Sequence, residues 1–151
     1  MNHNFYMQIA LDLAQTAAAE DEIPIGAVVV NSQTNEIVAG AHNLTQHKLD
    51  STAHAEILAI QKACAKLGTN RLRGMNLYVT LEPCTMCAAA ISFARIENLY
   101  IGTLDKKGGG VINGVRFYDS PSCNHRPHVE YGFLQEECSQ ILKDFFRAKR
   151  R

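Results

Sequence analysis

The stretch Pro24-Ile25-Gly26-Ala27-Val28-Val29-Val30-Asn31-Ser32-Gln33-Thr34-Asn35-Glu36-Ile37-Val38-Ala39 reads as two short strands about a polar turn. The β-branched run Val28-Val29-Val30 favours a pleated backbone, and Pro24 and Gly26 mark its entry. Asn31 to Asn35 supplies turn residues before the second run, Glu36 to Ala39, so the segment is expected to be a β-hairpin with antiparallel strands. Upstream, Phe5, Tyr6, Ile9, Ala10, Leu13 and Ala17 recur at three- and four-residue intervals, which predicts an amphipathic helix ending near Glu20.

Downstream, Ala53 to Leu67 is rich in helix formers and stops at Gly68, a residue type favoured just past a helix end. Asn76 to Thr80 reads as a strand, Thr85 to Ala94 as a short helix behind Pro83, and Asn98 to Ile101 as another strand. Residues 107–127, with Gly108-Gly109-Gly110, Asn113-Gly114 and two prolines, read as a long irregular segment. Leu134, Cys138, Ile141, Leu142 and Phe145 form a last helical stripe, acidic at its start and basic at its end. Helices alternating with strands predict an α/β domain, in two or three layers, around a sheet of four or five strands.

Composition narrows the function classes. The 151 residues are expected to form one domain, 1–151, with 46% hydrophobic and 20% charged residues typical of a globular chain. Lys+Arg and Asp+Glu balance at 15 each, so any nucleic-acid contact must come from local patches. No apolar run reaches membrane-spanning length and no export signal opens the chain, which leads to the expectation of a soluble, cytoplasmic protein with no membrane partner. Of the five cysteines, Cys64 and Cys138 fall in helical patterns and are expected to pack. Cys123 has no assigned role, and Cys84 and Cys87 are spaced for metal or redox chemistry.

His54-Ala55-Glu56 and Pro83-Cys84-Thr85-Met86-Cys87 carry the chemistry. A Cys-x-x-Cys pair alone fits a redox couple or half of a structural zinc knot; with His-x-Glu upstream, it matches the H-x-E and P-C-x-x-C signature of zinc deaminases. Two thiolates and one imidazole fill three corners of a tetrahedron and leave the fourth for water. Cysteines three apart share one side of a first helical turn, where the helix end favours thiolate. His54 and Glu56, two apart, would point to opposite sides of an ideal helix, so both can face one ion only if His54 sits at the helix entrance. Glu56 is then the proton shuttle: general base toward the water, general acid toward the departing ammonia.

These motifs, with Ile23-Pro24-Ile25-Gly26-Ala27-Val28, Thr52-Ala53-His54-Ala55-Glu56-Ile57 and Leu77-Tyr78-Val79-Thr80-Leu81-Glu82-Pro83-Cys84, make the chain resemble the cytidine deaminase superfamily. Asn124-His125-Arg126 and the closing segment from Glu136 through Phe145-Phe146-Arg147 resemble its bacterial tRNA adenosine deaminases. The resemblance implies a cytidine-deaminase-like three-layer α/β/α fold with a central mixed sheet of about five strands. It also implies one Zn2+ per subunit on His54, Cys84 and Cys87, a homodimer, and conversion of the wobble adenosine in an arginine tRNA anticodon stem-loop to inosine.

By the same resemblance Asn43 would hydrogen-bond the target base, and Asp105 and Lys107 would meet the RNA. Phe146, with Arg147, Lys149, Arg150 and Arg151, would touch the stem-loop. Asn43 could equally cap a loop, Asp105 and Lys107 be solvated, Phe146 pack, and the cations complement a helix end. The sequence departs from the family's usual pattern at Ser51, Phe93 and Val111 to Val115. Deamination of a free base or nucleoside such as guanine or cytosine is the alternative activity, and a non-enzymatic zinc or RNA module the alternative class.

Overall fold

Five strands, β1 (Gly26–Asn31), β2 (Ile37–His42), β3 (Met75–Leu81), β4 (Asn98–Thr103) and β5 (His128–Tyr131), form one sheet in the computed structural model, which describes residues 2–150. Their order is β2-β1-β3-β4-β5. Residues along a strand alternate between faces, and the central strands bury both. Ala27, Val29, Leu77, Val79, Leu99 and Ile101 enter one apolar cluster, whereas Val28, Val30, Tyr78 and Tyr100 enter another. The first face is covered by helices α2 (Ala55–Leu67) and α3 (Thr85–Phe93), the second by α1 (His3–Ala19) and α4 (Gln135–Lys149). Three layers result, as the resemblance implies.

The predicted hairpin is β1 and β2, antiparallel with Gly26 opposite His42 and a bulge between Val29 and Val30. β1 is antiparallel to β3, and β3 to β5 run parallel. This register brings the entry of β1, the exit of β2 and the exits of β3 and β4 to one end of the sheet. Ile25, Asn43, Glu82 and Leu104 therefore meet there, beyond the carboxyl ends of the parallel strands, where ligands bind in open α/β sheets.

Two packing features seat α1 on the sheet. A Cβ on Gly26 would lie 1.9 Å from the carbonyl oxygen of Ala10, so only glycine lets α1 sit directly on β1. On the same face, Tyr78 stacks on Tyr6 at 5.3 Å and on Tyr100 at 4.9 Å, and its hydroxyl hydrogen-bonds Nδ1 of His3 at 2.7 Å.

The helices keep their predicted places within a few residues; α2 begins at Ala55 because His54 is already extended. β5 lies just past the segment read as irregular. With only four residues, half of its edge unpaired and most of its side chains exposed, it has no apolar period to reveal it. Cys138 is fully buried in the α1/α4 cluster, and Cys64 packs against the other. Cys123 donates to the carbonyl of His125, which also accepts from Ser92, so it belongs to the packing of the late loop.

Candidate active site

Two helix entrances face one another at this end of the sheet. His54 is the residue before α2, extended at φ −75°, ψ 153°, and Cys84 is the residue before α3, extended at φ −69°, ψ 174°. Neither side chain caps its own helix, which leaves both free to turn toward a shared centre. Glu56 lies in the first turn of α2 and Cys87 in the first turn of α3, at 3% and 0% exposure. The break from extended His54 to helical Glu56 removes the conflict that ideal helical spacing would impose.

His54 Nδ1 lies 3.7 Å from Cys84 Sγ and 3.5 Å from Cys87 Sγ. The donor atoms of these three residues all fall within 4.8 Å of one another, a set able to hold a metal ion. Glu56 is outside the set and beside it.

The groups share protons. A hydrogen bond from Cys87, then one from His54, holds Cys84 down at about 4 against the opposing effect of burial. Cys87, the thiol donating to Cys84 and itself buried, is pushed well up. His54 is raised, chiefly by its hydrogen bond to Cys84. Burial pushes Glu56 up to about 7. A carboxyl poised near neutrality can both take and return a proton, which is the demand of general acid–base work.

A cavity of about 280 Å³ opens on these groups, lined by Ile23, Ile25, His54, Glu56, Glu82, Cys84, Asp105 and Phe146 among others. Asn43 is 3% exposed and lines an adjoining cavity of about 570 Å³ that shares Ile23, Ile25 and His54. Its backbone N–H donates to Ile25. The Asp105 carboxylate accepts the N–H groups of Lys107 and Gly108, making a tight turn at the cavity wall. Lys107 is exposed and is not among the residues lining either cavity. Phe146 meets Phe145 edge-on at 5.4 Å, Arg147 pairs with Asp144 at 3.9 Å, and Lys149 pairs with Asp21. Arg151 lies outside the described residues.

Two buried carboxylates that sequence reasoning left without a role frame the site. Glu22, with 0% exposure, accepts from the backbone N–H groups of Gln46 (3.0 Å) and His47 (2.8 Å) and from His47 Nδ1 (2.6 Å), so it anchors the loop after Asn43. Glu82, 2% exposed, accepts from the backbones of Asp105, Val111, Ile112 and Asn113 and from the Asn113 side chain. Burial works against both charges, but the backbone hydrogen bonds outweigh it and hold each carboxyl below its ordinary value. Glu22 was hidden in the acidic run Glu20-Asp21-Glu22, which looks like a solvated surface. Glu82 could have been suspected from its place at a buried strand's end, with three glycines offering bare N–H groups downstream.

The model of the MafB19-like deaminases matches residues 1–150. The tRNA-specific adenosine deaminase of Agrobacterium fabrum is 53% identical over 145 residues, covering 96% of this chain and 94% of that protein. The Bacillus subtilis tRNA-specific adenosine deaminase is 45% identical, with coverage of 97% and 89%. A solved structure from studies of A-to-I editing by tRNA:A34 deaminases at the wobble position superposes with a TM-score of 0.89 at 52% identity, covering 91% of this chain and 99% of that one. The guanine deaminase of Nitrosomonas europaea shares the fold at 23% identity and a TM-score of 0.82, over 94% of this chain and 83% of its own.

Proposed function

The chain belongs to the MafB19-like deaminases and, among them, to the tRNA-specific adenosine deaminases, and from that premise we propose that it hydrolytically deaminates the wobble adenosine of a tRNA anticodon to inosine with one zinc ion per subunit. The observation that carries the zinc reading is the donor geometry. Zn–S bonds of about 2.3 Å and Zn–N bonds of about 2.0–2.1 Å at the tetrahedral angle put sulfur and nitrogen roughly 3.6 Å apart. The His54–Cys84 and His54–Cys87 separations are 3.7 and 3.5 Å. His54, Cys84 and Cys87 would hold the ion and leave its fourth position to water. Bound zinc supplies a Lewis acid that acidifies water toward neutrality.

The chain's own groups do the rest. Glu56, buried beside the donor set, takes a proton from the water that adds to C6 of the adenine and delivers it to N1. As the C6–N6 bond breaks, the remaining water proton passes through Glu56 to the amino nitrogen and ammonia leaves. Asn43 reaches the base from the adjoining cavity, and Asp105 with Phe146 borders the cavity that receives it; Lys107, exposed outside both cavities, meets the RNA beyond them. The base must leave its stack to reach a cavity of about 280 Å³, which a single-stranded anticodon loop permits at little cost.

The homodimer in this reading comes from the resemblance to the tRNA adenosine deaminases. No helix among the described residues is long and apolar enough to cross a membrane, and a tRNA substrate favours the cytoplasm. The reading is tested by presenting an arginine anticodon stem-loop, free adenosine, guanine and cytosine side by side. Inosine from the stem-loop supports it; ammonia from free bases alone selects a small-molecule deaminase instead.

A further inference from the structure

The segment from Asp105 to Asn113 places Asp105 and Gly108 on the wall of the candidate active site, yet it has no regular secondary structure to hold it. Loops of this kind need their backbone N–H groups paired, because a buried donor left unpaired is costly. Here the pairing converges on one side chain. Glu82 Oε2 accepts from Val111 (3.1 Å), Ile112 (2.9 Å) and Asn113 (3.0 Å), while Oε1 accepts from Asp105 (3.0 Å) and from Nδ2 of Asn113 (2.7 Å). Both ends of the loop are thus tied to a single carboxylate.

The glycines make that approach possible. A Cβ on Gly109 would lie 2.4 Å from the Glu82 carboxyl, and one on Gly110 would lie 2.6 Å from the backbone nitrogen of Thr85. Gly110 also donates its N–H to Pro83 at 2.9 Å, so the loop rests against the entrance of α3 where Cys84 stands. Asp105 and Gly108 are thereby set on the wall of the cavity that Ile23 and Ile25 also line.

We propose that Glu82 is a positioning residue for substrate binding: its carboxylate gathers the 105–113 loop into the wall that receives the target nucleotide. This rests on the RNA deaminase reading above. Glu82 works through Asp105 and Gly108, and has no part in proton transfer. Its loss therefore weakens capture of the stem-loop more than turnover of bound substrate, provided that zinc is retained.

The test compares the zinc-loaded wild type with Glu82→Gln and with the milder Asn113→Ala, measuring KM and kcat on an anticodon stem-loop, zinc content, and hydrogen exchange of the loop amides. Replacing one carboxylate oxygen by an amide nitrogen turns an acceptor toward N–H donors, and the lost charge-assisted bonds correspond to roughly a ten-fold or greater rise in KM. We expect that rise for Glu82→Gln and a smaller one for Asn113→Ala, with kcat nearly constant, zinc retained and exchange accelerated in the loop peptide alone. An unchanged KM in both folded variants overturns the proposal, as does a fall in kcat that tracks loss of zinc. If Glu82→Gln does not fold, Asn113→Ala decides. A wild type that makes no inosine sinks the RNA reading, whereas hydrogen exchange still reports whether Glu82 holds the loop.

Discussion

Replacing Glu22 by Gln probes how the loop beside the candidate base-binding residue Asn43 is held. The Glu22 carboxylate has no solvent exposure and satisfies three donors, two on Oε2 and one on Oε1. A glutamine oxygen can take the place of only one carboxylate oxygen. In its better orientation it keeps the two donors from His47 and turns an NH2 group toward the N–H of Gln46. One hydrogen bond to a charged acceptor is lost and the survivors become neutral, a cost of about 2–3 kcal/mol. For a chain of this length that corresponds to a fall of roughly 4–12 °C in Tm.

The pH dependence has a definite sign. The native pKa of Glu22 is lowered from 4.5, so its stabilisation is present above that value and disappears as pH falls through the native one. The native pKa of His47 is raised from 6.5, principally by its hydrogen bond to Glu22, so its share is complete below 6.5 and is lost as pH rises through the native value. The Tm gap between wild type and Glu22→Gln should therefore be widest near pH 5–6 and narrow on both sides, as read by circular dichroism melts from pH 3 to 9. Equal melting at pH 6, or a gap that does not close under acid, would show that the Glu22 carboxylate does not hold this loop.

Gly26→Ala forces a Cβ to within 1.9 Å of the Ala10 carbonyl and 2.9 Å of the Ala14 nitrogen. Because both neighbours are backbone, it should destabilise by about 3 kcal/mol, seen as a lower urea midpoint with α1 no longer seated on β1. Cys87→Ala removes a fully buried member of the candidate donor set, so metal analysis should find zinc reduced from one per chain to a small fraction, with deamination lost in parallel.

The strands were legible where chemistry was dense. Val28-Val29-Val30 is β-branched throughout, and burial of both faces explains why it lacks alternation: Val29 and its neighbours 28 and 30 serve different clusters. The order β2-β1-β3-β4-β5 was not legible, because no local pattern says which buried strand lies beside which. β5 escaped notice for the opposite reason, being too short and too exposed to carry a pattern. In the site, His54, Glu56, Cys84 and Cys87 stood out because together they match a known zinc-deaminase signature. Glu22 and Glu82 did not, since a carboxylate buried under backbone N–H groups differs from a surface one only in what folds around it. The loop at 107–127 read as irregular because its order comes from tertiary contacts: Glu82 and the close approach of Gly109 and Gly110 in its first part, and Tyr118 on Ala88 and His125 on Ile96 in its second.

The proposed function rests on Glu56 moving protons beside a zinc ion held by His54, Cys84 and Cys87, on an adenosine presented by RNA. Its most direct test measures inosine at the wobble position of an anticodon stem-loop for wild type and Glu56→Gln, with zinc determined on the same samples. Inosine is expected from the wild type and a rate lower by about 10²–10⁴ from the variant, with zinc still bound at one per chain. No inosine from the wild type with enzyme in excess, or a zinc-loaded Glu56→Gln that deaminates as fast as the wild type, contradicts it.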